Sequence, residues 1–110
     1  MRRKAKVDSN QPEITAALRK IGCSVTPTHT IGKGFPDLAV GFRGRNYFFE
    51  IKDGSLSPSR RSLTKDEADW HESWRGQVHI IGSVDQALRF IQENAPPTYW
   101  ELVNNSGGSV

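Results

Sequence analysis

One cysteine, Cys23, is the whole thiol content of this 110-residue chain. A lone cysteine excludes an internal disulfide framework and a cysteine-based zinc knuckle, and it makes the reducing cytoplasm the expected compartment. His71 and His79 share no metal-ligand spacing with each other or with Cys23, which argues against zinc altogether. No run approaches the ~20 consecutive apolar residues that a membrane helix needs. The opening Met1-Arg2-Arg3-Lys4-Ala5-Lys6 has no apolar stretch behind it, so no signal peptide is expected. Repeats and low-complexity blocks are also missing. At 35% apolar and 25% charged residues, the length fits one small domain with one sheet-and-helix core.

Charge is unevenly spread. Residues 1–65 carry 13 of the 15 Lys and Arg against 5 of the 12 Asp and Glu, a balance of +8. Residues 66–110 carry the remaining 2 and 7, a balance of −5. A basic half beside an acidic half points to a polyanionic partner on one face.

Periodicity supplies the elements. Asn10-Gln11-Pro12-Glu13 reads as a helix start, with Asn10 as N-cap, Glu13 as its capping-box partner and Pro12 in the first turn. Ile14, Ala17, Leu18 and Ile21 then form one helical face, closed by Gly22. Cys23–Thr30, interrupted by Pro27, reads as an edge strand. A glycine-rich loop at 31–35 leads to a hairpin of Pro36–Phe42 and Tyr47–Lys52, followed by a polar, basic loop at 53–62. Thr64 with Glu67 opens a second helix reaching about Arg75. Val78–Ile81 reads as a buried strand, and Ser83 with Gln86 caps a third helix bearing Val84, Ala87, Leu88 and Ile91. Pro96-Pro97 stops that helix. The expected fold class is α/β, in the order α-β-β-β-α-β-α, with a mixed central sheet flanked by helices. The expected organisation is a basic arm at 1–8, a domain at 9–95 and a partly disordered C-terminal extension at 96–110.

Pro36-Asp37 and Glu50-Ile51-Lys52 carry the chemistry. Glu50 and Lys52 are two apart on a strand and share a face, while Phe49 and Ile51 point to the other. A two-residue Gly44-Arg45 turn, or a four-residue loop over 43–46, sets Asp37 opposite Lys52 and Ala39 opposite Glu50. All three charged groups then converge on one face, with Asp37 and Glu50 diagonal neighbours ~7–8 Å apart at Cα. Two such carboxylates reach one divalent cation such as Mg²⁺, with the Ile51 carbonyl as a third ligand. Phosphodiester hydrolysis needs this set, because an anionic phosphate repels its nucleophile and its transition state gains negative charge. Lys52 is placed to orient the attacking water or to stabilise that charge. Glu13, at the edge of the first helix's apolar face, is a candidate outer ligand or water acceptor, besides its capping role.

These residues resemble the signature of the PD-(D/E)xK nuclease superfamily. More narrowly, the chain resembles the VRR-NUC family of virus-type replication-repair nucleases. Besides the two signature elements, the resemblance rests on the early helix with Glu13 and on Gly-Lys-Gly-Phe-Pro-Asp-Leu at 32–38. Leu63-Thr64 opening a helix and the Ser83–Ile91 helix also fit, so roughly residues 9–92 are covered. The resemblance implies a restriction-endonuclease-like core and Mg²⁺- or Mn²⁺-dependent DNA cleavage leaving 5′-phosphates. Stand-alone short members resemble phage enzymes that act as homodimers on branched DNA such as Holliday junctions. One departure stands out. Where the family commonly has Gln on the helix after the signature lysine, this chain offers Glu67 or His71, whose roles stay open.

Candidate DNA-binding residues are Lys33, between two glycines that let a phosphate approach the backbone, and Arg60, Arg61 and Lys65 in and after the basic loop. An ordinary flexible loop and a solvated charge run are the plainer readings of the same residues. Trp70 and Trp74, at i, i+4, read as core or dimer packing. Two rival functions remain: a catalytically inactive nuclease-fold module that binds DNA, and an interaction protein whose basic half binds another protein.

Overall fold

The computed structural model of the chain describes residues 7–107, with side chains as far as residue 104. Most of the expected basic arm, and residues 108–110 of the extension, lie outside the described residues. The order is α1 (Gln11–Lys20), β1 (Ser24–Pro27), β2 (Leu38–Phe42), β3 (Arg45–Ile51), α2 (Lys65–Ser73), β4 (His79–Ile81), α3 (Val84–Asn94) and α4 (Tyr99–Gly107). The strands form one sheet in the order β1-β2-β3-β4. β1, β2 and β3 run antiparallel, and β4 joins β3 in parallel. A parallel partner requires a crossover, and the long connection carrying α2 provides it.

Alternation along β3 divides the molecule. Tyr47, Phe49 and Ile51 are buried with Val25, Leu38, Val40 and Ile81 on one sheet face, where α1 adds Ile14 and Leu18 and α3 adds Ala87 and Ile91. The opposite face takes α2. There Phe48 packs edge-on to Trp70 and Trp74, Phe35 packs against both Phe48 and Trp70, and the two indoles stack at 4.6 Å. Trp70 and Trp74 therefore pack within the chain.

Four details depart from the sequence reading. The hairpin turn is Arg43-Gly44, because both residues take positive φ (48° and 78°), the pattern of a tight two-residue turn matched to strand twist. Phe42 then pairs with Arg45 and Leu38 with Phe49, which sets Asp37 opposite Glu50 rather than Lys52. This is a shift of two residues, so every side chain keeps its expected face. Second, Asn10 has helical φ and ψ and no side-chain capping bond. Its amide instead donates to the carbonyls of Lys52 (3.2 Å) and Gly82 (3.1 Å), tying the start of α1 to the ends of β3 and β4. The buried stripe of α1 is accordingly Gln11, Ile14 and Leu18, and Ile21 is left exposed. Third, β4 is an edge strand, with Ile81 buried and Ile80 open to solvent. Fourth, the extension is helical from Tyr99 to Gly107. Thr98 and Glu101 cap α4 reciprocally, and Arg43 tethers it through the Pro96 carbonyl (3.2 Å) and Glu101 (3.7 Å).

Candidate active site

Asp37 is held at the entrance to β2 by its backbone. Its N–H donates to the Phe49 carbonyl (3.0 Å), and its own carbonyl accepts from Thr28 N–H (2.7 Å). Its carboxylate accepts from the Ile51 N–H at 2.8 Å. N–H and C=O of one strand residue point the same way, so the Ile51 carbonyl also faces the edge beyond the last β2 pair.

Glu50, beside Asp37, is 1% exposed. Burial, then hydrogen bonding and charge from the neighbouring Asp37 carboxyl, then Glu67, push its pKa far above the usual carboxylate range. Its two oxygens face different neighbours. Oε2 lies 4.0 Å from Lys52 Nζ, and Oε1 lies 3.9 Å from His71 Nε2. Both Oε1 and His71 Nε2 are buried without a hydrogen-bond partner. A buried acid with an unsatisfied oxygen is costly, so the site is built for something that compensates it.

Lys52 follows β3 directly and turns its ammonium to Glu67 Oε1 at 2.7 Å. Burial works against its charge, but Glu67, Glu50 and Asp8 outweigh it and raise its pKa. Glu67 shows the mirror image: burial works upward, while Lys52 and the Thr64 N–H hold it below the usual range. Glu67 also completes the capping box with Thr64 that the sequence predicts. His71, one turn further along α2, is shifted down chiefly by burial, with the Glu67 charge opposing and the Lys52 charge adding to the shift. The i, i+4 spacing of Glu67 and His71 is the sequence signal that places both on one helix face.

The other candidates lie elsewhere. Glu13 is exposed on α1, in the layer behind the sheet, and lines a groove of about 750 Å³ with Asn10, Asp53 and Arg61. It does not join the Asp37–Glu50–Lys52 group. Lys33, exposed at φ 56°, tops a loop whose Gly34 lies against the Asp66 carbonyl at the start of α2. That contact lays the loop carrying Lys33 against the first turn of α2, where Lys65 also lies. Lys65 pairs with Asp69 at 2.8 Å, although its side chain is 87% exposed. Arg60 is exposed, and the Arg61 Nε donates to the Leu56 carbonyl at 2.9 Å.

The donors fit a hard divalent cation that keeps several waters: two carboxylates on one face and a carbonyl at the same edge. Among the described residues, no group of three His, Cys, Asp or Glu side chains forms a metal cage.

No protein-family model matches the chain, and no curated protein does. A solved structure described as a VRR_NUC domain does, with a TM-score of 0.57 at 26% identity over 78% of this chain and 92% of that one. That likeness in fold and sequence supports placing the chain with the VRR-NUC family. Its mixed sheet between helical layers is accordingly a restriction-endonuclease-like nuclease fold. Among the described residues of this chain, no helix is long and apolar enough to cross a membrane.

Proposed function

We propose that the protein is a Mg²⁺- or Mn²⁺-dependent DNA endonuclease selective for branched DNA such as Holliday junctions, leaving 5′-phosphates. The observation that carries this reading is Glu50, a buried carboxyl with an unpartnered oxygen directly beside Asp37 and within reach of Lys52. The hydrophobic core needs no acid there, whereas hydrolysis of a phosphodiester needs this set.

In this reading Asp37, Glu50 and the Ile51 carbonyl would hold the cation. When bound, such a cation neutralises phosphate charge and activates a water. The chain's own residues do the rest. Lys52, kept charged by Glu67, donates hydrogen bonds to the charge developing on the phosphate or to the attacking water. The Ile51 N–H fixes the Asp37 carboxylate in place. Lys33, Arg60, Arg61 and Lys65 take the phosphates on either side. The domain itself spans residues 9–95. Two copies about a two-fold axis present paired sites to a four-way junction, so the active form is a homodimer. A phage-type, stand-alone enzyme working in the host cytoplasm fits this reading.

The test incubates purified protein with linear, nicked, forked and four-way DNA in Mg²⁺, Mn²⁺ or EDTA. Cleavage of branched DNA that depends on the metal, and is lost in Asp37→Ala and Lys52→Ala, is expected. Cutting retained by rigorously purified Asp37→Ala refutes the assignment. DNA binding without any metal-dependent cutting favours an inactive binding module.

A further inference from the structure

Two large apolar side chains are left open on the sheet face that carries the acids. Trp74 is 41% exposed and Ile80 is 46% exposed. The strand register fixes Ile80, and the end of α2 carries Trp74. Glu50 and Ile80 are direct partners in the parallel β3–β4 pair. Phe48 lies two residues before Glu50 on the same face, one side-chain row away. Trp74 stands over Phe48, with ring centres 5.7 Å apart. Trp74 thus stands one side-chain row from Glu50 along β3, while Ile80 lies across from Glu50 on β4.

Trp74 is also held as a flat surface. One side of its ring stacks on Trp70 at 4.6 Å and 17°, and Trp70 is in turn braced edge-on by Phe35 and Phe48. A rigid, supported aromatic ring with open area costs little conformational entropy when a second flat ring joins the stack. The following Arg75 is exposed and places a cation beside it.

Resting on the nuclease reading, we infer that Trp74 is a stacking platform for an unstacked nucleobase next to the cleaved phosphate. Linear duplex stacks every base on its neighbours, whereas a fork frees bases and an open four-way junction exposes the faces of the pairs at its branch point. The platform therefore provides a physical basis for preferring branched DNA. Aromatic stacking of this kind contributes about 1–3 kcal/mol per base and tolerates any sequence.

The experiment places 2-aminopurine at the first unpaired position of a forked DNA and measures binding in EDTA, where nothing is cut. Wild-type protein is expected to quench the probe by stacking. Trp74→Leu, which keeps apolar packing without an aromatic face, is expected to lose the quench and about tenfold or more of fork affinity. Its affinity for plain duplex should stay unchanged, and Trp74→Phe should restore much of the quench. Equal quenching by wild type and Trp74→Leu overturns the platform alone. A Trp74→Leu protein that changes its sedimentation behaviour, with fork binding intact, assigns the surface to a second copy and overturns it as well. Failure of the wild type to bind any DNA overturns the nuclease reading together with the platform.

Discussion

Lys52 and Glu67 are joined by a 2.7 Å ion pair across the sheet–helix interface, through the same Glu67 oxygen that accepts the Thr64 N–H at 2.9 Å. One carboxylate oxygen thereby serves both the start of α2 and the candidate catalytic lysine.

That double use can be separated by substitution. Thr64→Ala removes the hydroxyl that accepts from the Glu67 N–H and should cost about 1 kcal/mol of stability with cleavage nearly intact. Glu67→Ala removes cap and lysine partner together. It should cost a similar amount of stability but lower kcat at least tenfold. Thermal melts and single-turnover cleavage of the two variants check this, and equal losses of kcat would show that Glu67 acts through the helix alone.

Glu50 makes the protein's stability depend on pH in an unusual direction. Its folded pKa is raised to about 10, so the folded state holds a proton that the unfolded state releases above its ordinary value of ~4.3. Stability should therefore be highest in this respect at low pH and decline as pH rises through that interval. Glu67, whose folded pKa is lowered, contributes in the opposite direction and loses its share as pH falls through its folded value. Glu50→Gln should raise the melting temperature in EDTA at about pH 8 and much less at about pH 5. The gain between the two pH values comes from the proton that Gln no longer exchanges, at most about 1.4 kcal/mol for each pH unit between them. A variant no more stable than wild type at either pH contradicts the burial argument.

Gly34 joins the glycine-rich loop to α2. It has φ 82°, and a methyl group there would run into the Asp66 carbonyl. Gly34→Ala should destabilise the protein by more than about 1 kcal/mol and displace Glu67 and His71 from Lys52 and Glu50. Gly32→Ala meets nothing within 4 Å and pays only for its own positive φ. Denaturant melts of the pair should rank Gly34→Ala clearly lower.

Arg60 and Arg61 can be tested without touching the acids. Replacing both with Gln should weaken DNA binding and flatten its dependence on salt by up to about 0.9 for each phosphate no longer neutralised. An unchanged slope removes this loop from the interface.

The sequence reveals the site through parity. Asp37, Glu50 and Lys52 can be put on one face from strand periodicity alone, and the face survives the change of turn from Gly44-Arg45 to Arg43-Gly44. Glu67 and His71 are not legible in this way, since their approach to Lys52 and Glu50 depends on where the crossover lays α2 against the sheet. Asn10 is open to misreading because its amide finds stronger partners far along the chain, at Lys52 and Gly82, than any local cap offers. The fourth helix has a legible start, the Thr98–Glu101 capping pair, but its Tyr99 and Trp100 are exposed and give no buried stripe to follow.

The hairpin joining β2 to β3 also limits how this chain can change. A single residue added or deleted between Phe42 and Arg45, wherever the pairing slid by one to absorb it, would put Asp37 and Glu50 on opposite sheet surfaces. An indel of two would preserve both. Descendants of this protein should therefore vary that turn in even steps, and an odd-length relative must carry a compensating bulge in one of the two strands.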